Sequence, residues 1–181
     1  MRERAQNDED VAEELRWLRK RVAELERLNA QLQSSEEKLR MLFEYALDGY
    51  FIRDLKGTFI DENKDAVAIT GYKREELIGS SFLKLKLLSA EQTPRAAALL
   101  ARNALGKSTG PDKFTLKRKD GSAIAVEVRT HPVRIGGQRL VLAIARDISA
   151  RKQAETALQE SEERFRDLFE NAHDLIQSVG P

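Results

Sequence analysis

Apolar residues recur at alternating intervals of three and four along residues 8 to 43, which is the period of a coiled-coil helix. The a positions of this heptad hold Leu15, Val22, Asn29, Glu36 and Phe43, and the d positions hold Val11, Leu18, Leu25, Leu32 and Leu39. Because every d position is aliphatic, the pattern predicts a long helix that pairs with a second copy of itself. The alternative is a single amphipathic helix that lies on its own domain.

Charged residues beside this stripe favour pairing. In a parallel, in-register dimer Glu14 faces Arg19 of the other chain, and Arg21 faces Glu26, each with opposite sign. Asn29 at an a position would fix register and strand number. We therefore expect a parallel homodimer whose interface contains Leu15, Leu18, Val22, Leu25, Asn29, Leu32 and Leu39.

An internal repeat indicates how the chain is divided. "SEEKLRMLFEYALD" (35 to 48) and "SEERFRDLFENAHD" (161 to 174) share nine of fourteen residues. We expect one module to begin near residue 35 and a second to begin near residue 161, where too little sequence follows for it to fold. The expected divisions are a coiled-coil helix at 1–34, a domain at 35–149, a linking helix at 150–170 and the start of a second module at 171–181.

The segment between the two copies has the pattern of a mixed domain. "YFIRDLKGTFIDEN" predicts two short strands joined by a turn at Gly57, and "NKDAVAITGYKREELIGSSF" predicts short helices. A longer helix is expected to start at a capping box formed by Ser89 and Gln92 and to end at Gly106. "KFTLKRKDGSAIAVEVRT" and "VRIGGQRLVLAIARD" then predict three further strands.

This order of elements resembles the PAS sensor domain family over roughly residues 36 to 150. The residues that carry the resemblance are Asn63, Gly71-Tyr72, the run Glu76 to Gly79, and Asp147-Ile148-Ser149, which is similar to the family's closing Asp-Ile-Thr motif. The resemblance implies an α+β fold in which a five-stranded antiparallel sheet carries short helices on one face. We expect coiled-coil helices before and after it.

The resemblance also implies that the last strand reports changes through the helix that follows it. We expect Asp147 and Ser149 to accept hydrogen bonds from the first-turn N–H groups of that helix. Together with Ile148 and Arg151 they form the predicted signal junction. The alternative is an ordinary N-cap without a role in signalling.

Alternation along the strands separates an inner from an outer face. By analogy with the last strand of flavin-binding PAS domains, Leu140, Leu142 and Ile144 are assigned to the outer face, covered by the N-terminal helix or a partner subunit. The inner face and the short helices could enclose a pocket for a small apolar ligand, or could simply be core. The pocket candidates are Ile69, Leu77, Phe82, Leu87, Phe114, Leu116, Val126, Val128, Thr130, Ala143 and Ala145.

Cofactor chemistry finds little support in the sequence, and we expect neither a cofactor nor a metal. The chain has no cysteine, which excludes a flavin–cysteine adduct. The predicted long helix has no histidine that could hold haem, and His131 is expected to face outward. His173 could suggest a kinase phosphoacceptor, but the repeat aligns it with Leu47 at the opening of a module.

Composition narrows the function. The 31 basic and 30 acidic residues do not favour nucleic acid or an anionic membrane as partner, and no apolar run is long enough for a membrane span. We expect a cytoplasmic, non-catalytic sensor and dimerisation module, joined to further PAS and effector domains in a signalling protein such as a histidine kinase or a cyclic-dinucleotide enzyme. The alternative is a structural spacer that dimerises but binds no ligand.

Overall fold

The structure is a computed structural model that describes the backbone of residues 2–178 and the side chains of residues 13–168. The chain divides into two units between Glu44 and Tyr45. The first is a long helix, and the second is a mixed domain with a helix at its end.

The first unit is one unbroken helix, α1 (Arg2–Glu44). From Leu15 to Leu39, the aliphatic residues of the predicted stripe are 43–64% exposed within this single chain. Asn29 is exposed as well, and Arg21 forms an ion pair with Glu24 one turn away (2.9 Å). A helix this charged gains most of its stability from burying its apolar stripe, and the pairing of this stripe with a second copy stays a prediction.

The second unit is built on the five-stranded antiparallel sheet that the sequence predicts. The order across the sheet is β2-β1-β5-β4-β3, so the last strand lies at its centre. Ala145 of this central strand is paired with Gly49 on one side and Val128 on the other. The strands are β1 (Gly49–Arg53), β2 (Phe59–Glu62), β3 (Thr109–Lys117), β4 (Ala123–Ile135) and β5 (Gln138–Asp147).

Four helices complete this unit: α2 (Lys64–Thr70), α3 (Arg74–Leu77), α4 (Thr93–Ala104) and α5 (Ser149–Ser178). The predicted start of the long helix α4 is wrong by about one turn, since Ser89 and Gln92 form no capping box. Pro94 lies in the first turn instead, where its missing N–H costs nothing. Ser89 contributes its carbonyl, which accepts a hydrogen bond from Thr93 Oγ1 (2.8 Å).

The core lies between one face of the sheet and helices α2 to α4. The rings of Phe51 and Phe59 meet there with their centroids 5.4 Å apart. On the opposite face of β5, Leu140 is buried, whereas Leu142 and Ile144 are only partly buried, and what covers this face stays a prediction. The core residues are Phe51, Phe59, Ala66, Ile69, Leu77, Leu87, Phe114, Ile124, Val126, Ala143 and Ala145.

Asn63 ties the first short helix to strand β1 of the sheet. Its Oδ1 atom accepts hydrogen bonds from the backbone N–H groups of Ala66 (3.0 Å) and Tyr50 (2.8 Å). Its Nδ2 atom donates to the carbonyl of Asp48 (2.9 Å). One buried side chain therefore caps α2 and fixes that helix against β1.

Candidate ligand cavity and helix junction

A cavity of about 110 Å³ lies between the inner face of the sheet and the short helices. All five strands supply one wall, and residues between the start of α2 and the end of α4 supply the other. The lining is apolar except for three side chains, Arg53, Thr70 and Thr130. The residues that line it are Phe51, Arg53, Phe59, Thr70, Phe82, Leu87, Leu88, Ala96, Leu99, Phe114, Leu116, Val128, Thr130, Ala143 and Ala145.

Most of the predicted pocket residues lie on this lining. The structure brings together Phe82, Leu87, Phe114, Leu116, Val128, Thr130, Ala143 and Ala145. Ile69, Leu77 and Val126 do not line the cavity, because they are packed deeper in the core, where each is nearly or fully buried. Alternation and helical period place a residue on a face but do not show how deep it lies.

Arg53 is a lining residue that the sequence analysis missed. It is only 7% exposed, and burial lowers the pKa of its guanidinium to about 10 despite the opposing charge of Asp54. Nη2 donates a hydrogen bond to Asn103 Oδ1 (3.1 Å), whereas Nη1 is buried without a hydrogen-bond partner. The sequence did contain an indication of this, because Arg53 lies two residues after the core residue Phe51 and therefore faces the same side of β1.

Asn103 connects Arg53 in β1 to strands β3 and β4. The Asn103 Nδ2 atom donates to Thr130 Oγ1 (2.8 Å) and to the carbonyl of Lys107 (3.0 Å). The Thr130 hydroxyl also forms a hydrogen bond with that of Thr109 (2.6 Å). These buried groups hold the end of α4 to β3 and β4. They therefore fix the position of Asn103, which is the hydrogen-bond partner of the Arg53 guanidinium.

Phe82 lines the cavity beside Arg53, and the β1–β2 turn lies close to its ring. The guanidinium carbon of Arg53 lies 5.9 Å from the centre of the Phe82 ring. Gly57 in the turn has φ +88°, and a Cβ there would lie 2.7 Å from Phe82 Cε1 and 3.7 Å from Arg53 Nη1. Glycine is thus required both by the backbone conformation and by the close approach of the ring.

The junction between β5 and α5 is a single residue long, since β5 ends at Asp147 and α5 begins at Ser149. The Asp147 carboxylate accepts a hydrogen bond from the N–H of Ser149 (2.7 Å), as expected. Ile148 is buried, and its N–H donates to the carbonyl of Ala125 in β4 (2.9 Å). The helix therefore starts from a residue that is still bonded to the sheet.

Ser149 differs from its predicted role. Its hydroxyl accepts a hydrogen bond from the N–H of Ala125 (3.2 Å) rather than from the first turn of its own helix. The reason is that β4 continues past the end of β5 and offers a free donor there. Arg151 does not reach the sheet and pairs with Glu155 one turn later (2.7 Å).

The other side of the junction is held by a charge pair. Arg146 Nε and Nη2 donate to the two carboxylate oxygens of Asp48 (2.9 Å each), in the parallel arrangement that carboxylates prefer. The hydrogen bond that Arg146 donates to Asp48 raises the pKa of its guanidinium above the usual value. The end of β5 is therefore tied to the start of the domain as well as to β4.

Comparison with known proteins agrees with this geometry. A family model described as PAS domain matches residues 47–150. The chain belongs to the PAS domain family. Its fold is similar to the PAS domain of an HTR-like protein from Haloarcula marismortui, with TM-score 0.58 and 27% identity, over 68% of this chain and 99% of that one.

Relatives of this PAS domain include a domain of a sensor histidine kinase and two sporulation kinases. A domain of the sensory box sensor histidine kinase/response regulator from Geobacter sulfurreducens is 32% identical, with TM-score 0.53, over 64% of this chain and 96% of that one. Sporulation kinases A and E of Bacillus subtilis are each 30% identical, over 69% and 82% of this chain. The chain spans about a fifth of the length of either kinase.

Other expected features of this PAS domain are placed as follows. His131 is exposed, and its Nδ1 atom lies 3.2 Å from Ser108 Oγ, away from the cavity lining. The side chain of His173 and those of 171–181 lie outside the described residues. Within the described part of the chain, no helix is long and apolar enough to cross a membrane, and no cluster of metal-ligating side chains occurs.

Proposed function

We propose that this PAS domain is a non-catalytic sensor and dimerisation module that passes a change in its sheet to the helix α5. The observation that carries the proposal is the double role of β5. Its Ala143 and Ala145 line the cavity, and two residues beyond Ala145 the same strand ends and leads into α5. A change in the cavity that shifts β5 must therefore move the start of the helix.

The place of this module in a longer protein is also a proposal. Two relatives are named sporulation kinases, and one neighbour in structure is a domain of a sensor histidine kinase. The repeat of residues 35–48 at 161–174 supports a second PAS-like module that begins within α5. We infer a cytoplasmic signalling protein such as a histidine kinase, in which α5 leads to a further PAS or effector domain.

The rival function is a dimerising spacer that binds no ligand. The small cavity favours it, because pockets for drug-sized ligands measure about 300 Å³ or more. Native mass spectrometry of freshly purified protein distinguishes the two functions. A small molecule retained at one copy per chain supports the sensor, whereas bare protein from several expression hosts supports the spacer.

Ala145→Leu should close the cavity while leaving the fold intact. Ala145 lines the cavity from the central strand, and three added carbons would fill much of its volume. We expect the free energy of unfolding to change by about 1 kcal/mol. Any small molecule retained by the wild type should be lost in native mass spectrometry. Ala123→Leu makes the same change at an exposed position of β4, and this control variant should still retain the small molecule. Retention by both variants would show that the cavity is not the binding site.

Rotating α5 relative to the sheet should change the output. Two residues inserted after Ala150 leave the contacts of Ile148 and Ser149 with Ala125 in place, yet rotate the rest of α5 by roughly 200°. Seven inserted residues restore the phase to within about 20°. We expect the first insertion to shift, and the second to preserve, the activity of a kinase fused in heptad register after residue 160.

Asp147→Ala provides a milder test of the same junction. It removes the acceptor for the Ser149 N–H and a favourable negative charge, at a cost of about 1 kcal/mol, which is comparable with a typical coupling energy. The fold should persist while the fused kinase changes its activity. If neither the insertions nor this variant altered the activity, while the fusion still responded to its stimulus, α5 would not carry the response.

A further inference from the structure

Arg53 is the one charged residue among those that line the cavity. Folding places this cation inside the domain, where it is 7% exposed. Among the residues whose side chains are described, no carboxylate lies within ion-pair distance of it. The adjacent Asp54 uses its carboxylate to bind the N–H groups of Lys56 and Thr58 in the turn (2.8 Å each).

Such an arrangement is costly unless a ligand completes it. A buried charge requires an opposite charge or a full set of hydrogen bonds. Asn103 satisfies one position on Nη2, and the Phe82 ring offers its face at 5.9 Å, but Nη1 has no acceptor. The amide of Asn103 is itself fixed by Thr130 and Lys107, so the guanidinium is held in place beside the cavity.

We propose that the cavity binds a short-chain carboxylate whose carboxylate group pairs with Arg53 and whose hydrocarbon tail lies against the apolar lining. The inference rests on the proposed ligand-binding function and names the chemical class of the ligand. A guanidinium matches a carboxylate with two parallel N–H donors, and a carboxylate supplies the acceptor that Nη1 lacks.

The volume sets the length of the tail. An apolar protein cavity of about 150 Å³ holds benzene, which has six heavy atoms. The 110 Å³ cavity is somewhat smaller, so it suits an acid of about three to five carbons. Butyrate, with six heavy atoms, is the natural probe. The methyl groups of Ala143 and Ala145 line the cavity and would report its tail by NMR.

The test compares butyrate with butyramide, which has the same shape but no charge. Each is titrated into the full 181-residue chain while the methyl signals of Ala143 and Ala145 are followed. We expect butyrate to bind about tenfold more tightly than butyramide. Arg53→Met keeps the bulk of the side chain, removes the charge and should abolish this preference. Arg134→Met, at an exposed position of β4, should leave it unchanged.

If Arg53→Met fails to fold, Arg53→Lys is the second variant to test. It keeps the charge on a side chain without the planar fork, so we expect it to retain part of the preference for butyrate. Equal binding of the acid and the amide by the wild type would overturn the carboxylate assignment and leave the cavity as a ligand site. A preference that survives Arg53→Met would also overturn it, since another group must then hold the acid. Absence of binding by both probes, at concentrations up to tens of millimolar, would count against the ligand-binding function itself as well as against the carboxylate.

Discussion

Asn63→Ala should lower the free energy of unfolding of the domain by about 3 kcal/mol. The side chain is 1% exposed and serves three backbone groups, the N–H of Tyr50, the N–H of Ala66 and the carbonyl of Asp48. Alanine would leave all three without this partner, and the space is too enclosed for water to replace the amide fully. Urea unfolding followed by the NMR signals of the β5 amides would measure the loss.

Asn63→Asp is the matched control, because it keeps an acceptor for both N–H groups and loses only the donor to Asp48. We expect its stability to lie between those of the wild type and the alanine variant. A loss below about 1 kcal/mol for Asn63→Ala would mean that the hydrogen bonds between α2 and β1 contribute little net stability.

Local pattern predicted the individual strands, and the resemblance to the PAS family implied how they form one sheet. Residues of β5 alternate between small inward side chains, such as Ala143 and Ala145, and larger outward ones, such as Leu142 and Ile144. Both sets are apolar, so alternation alone leaves open which set faces inward, and the analogy with flavin-binding PAS domains supplied the assignment. The glycine turns indicated which consecutive strands pair, because short loops join antiparallel strands, but the pairing of β1 with β5 has no such local signal.

Features that depend on partners distant in sequence were not predictable in the same way. The hydroxyl of Ser149 binds Ala125, which is 24 residues earlier and comes near only because β4 extends past β5. The role of Arg53 depends on Asn103, 50 residues away. Neither contact leaves a local pattern, although an arginine in phase with Phe51 was a usable indication of an inward-facing charge.

Replacing Leu25 and Leu32 by Asp should convert the proposed parallel homodimer into a folded monomer. Both residues occupy d positions and are 52% and 57% exposed in the single chain, so the single chain gains little from them. In the dimer, each Asp would place an unpaired carboxylate in the apolar seam at a cost of about 3 kcal/mol. Light scattering should therefore report half the wild-type mass, with the melting temperature of the domain retained.

The matched control is the double change Trp17→Asp and Met41→Asp. These residues are equally apolar and each 62% exposed, but their c and f positions lie outside the seam. The same added charge should leave the dimer intact there, because those carboxylates stay in water. Asn29→Val should stabilise the dimer but admit other strand numbers, since it removes the buried polar group that selects two strands. Dissociation of the control, or a dimer that survives Asp at both Leu25 and Leu32, would place the interface on another surface.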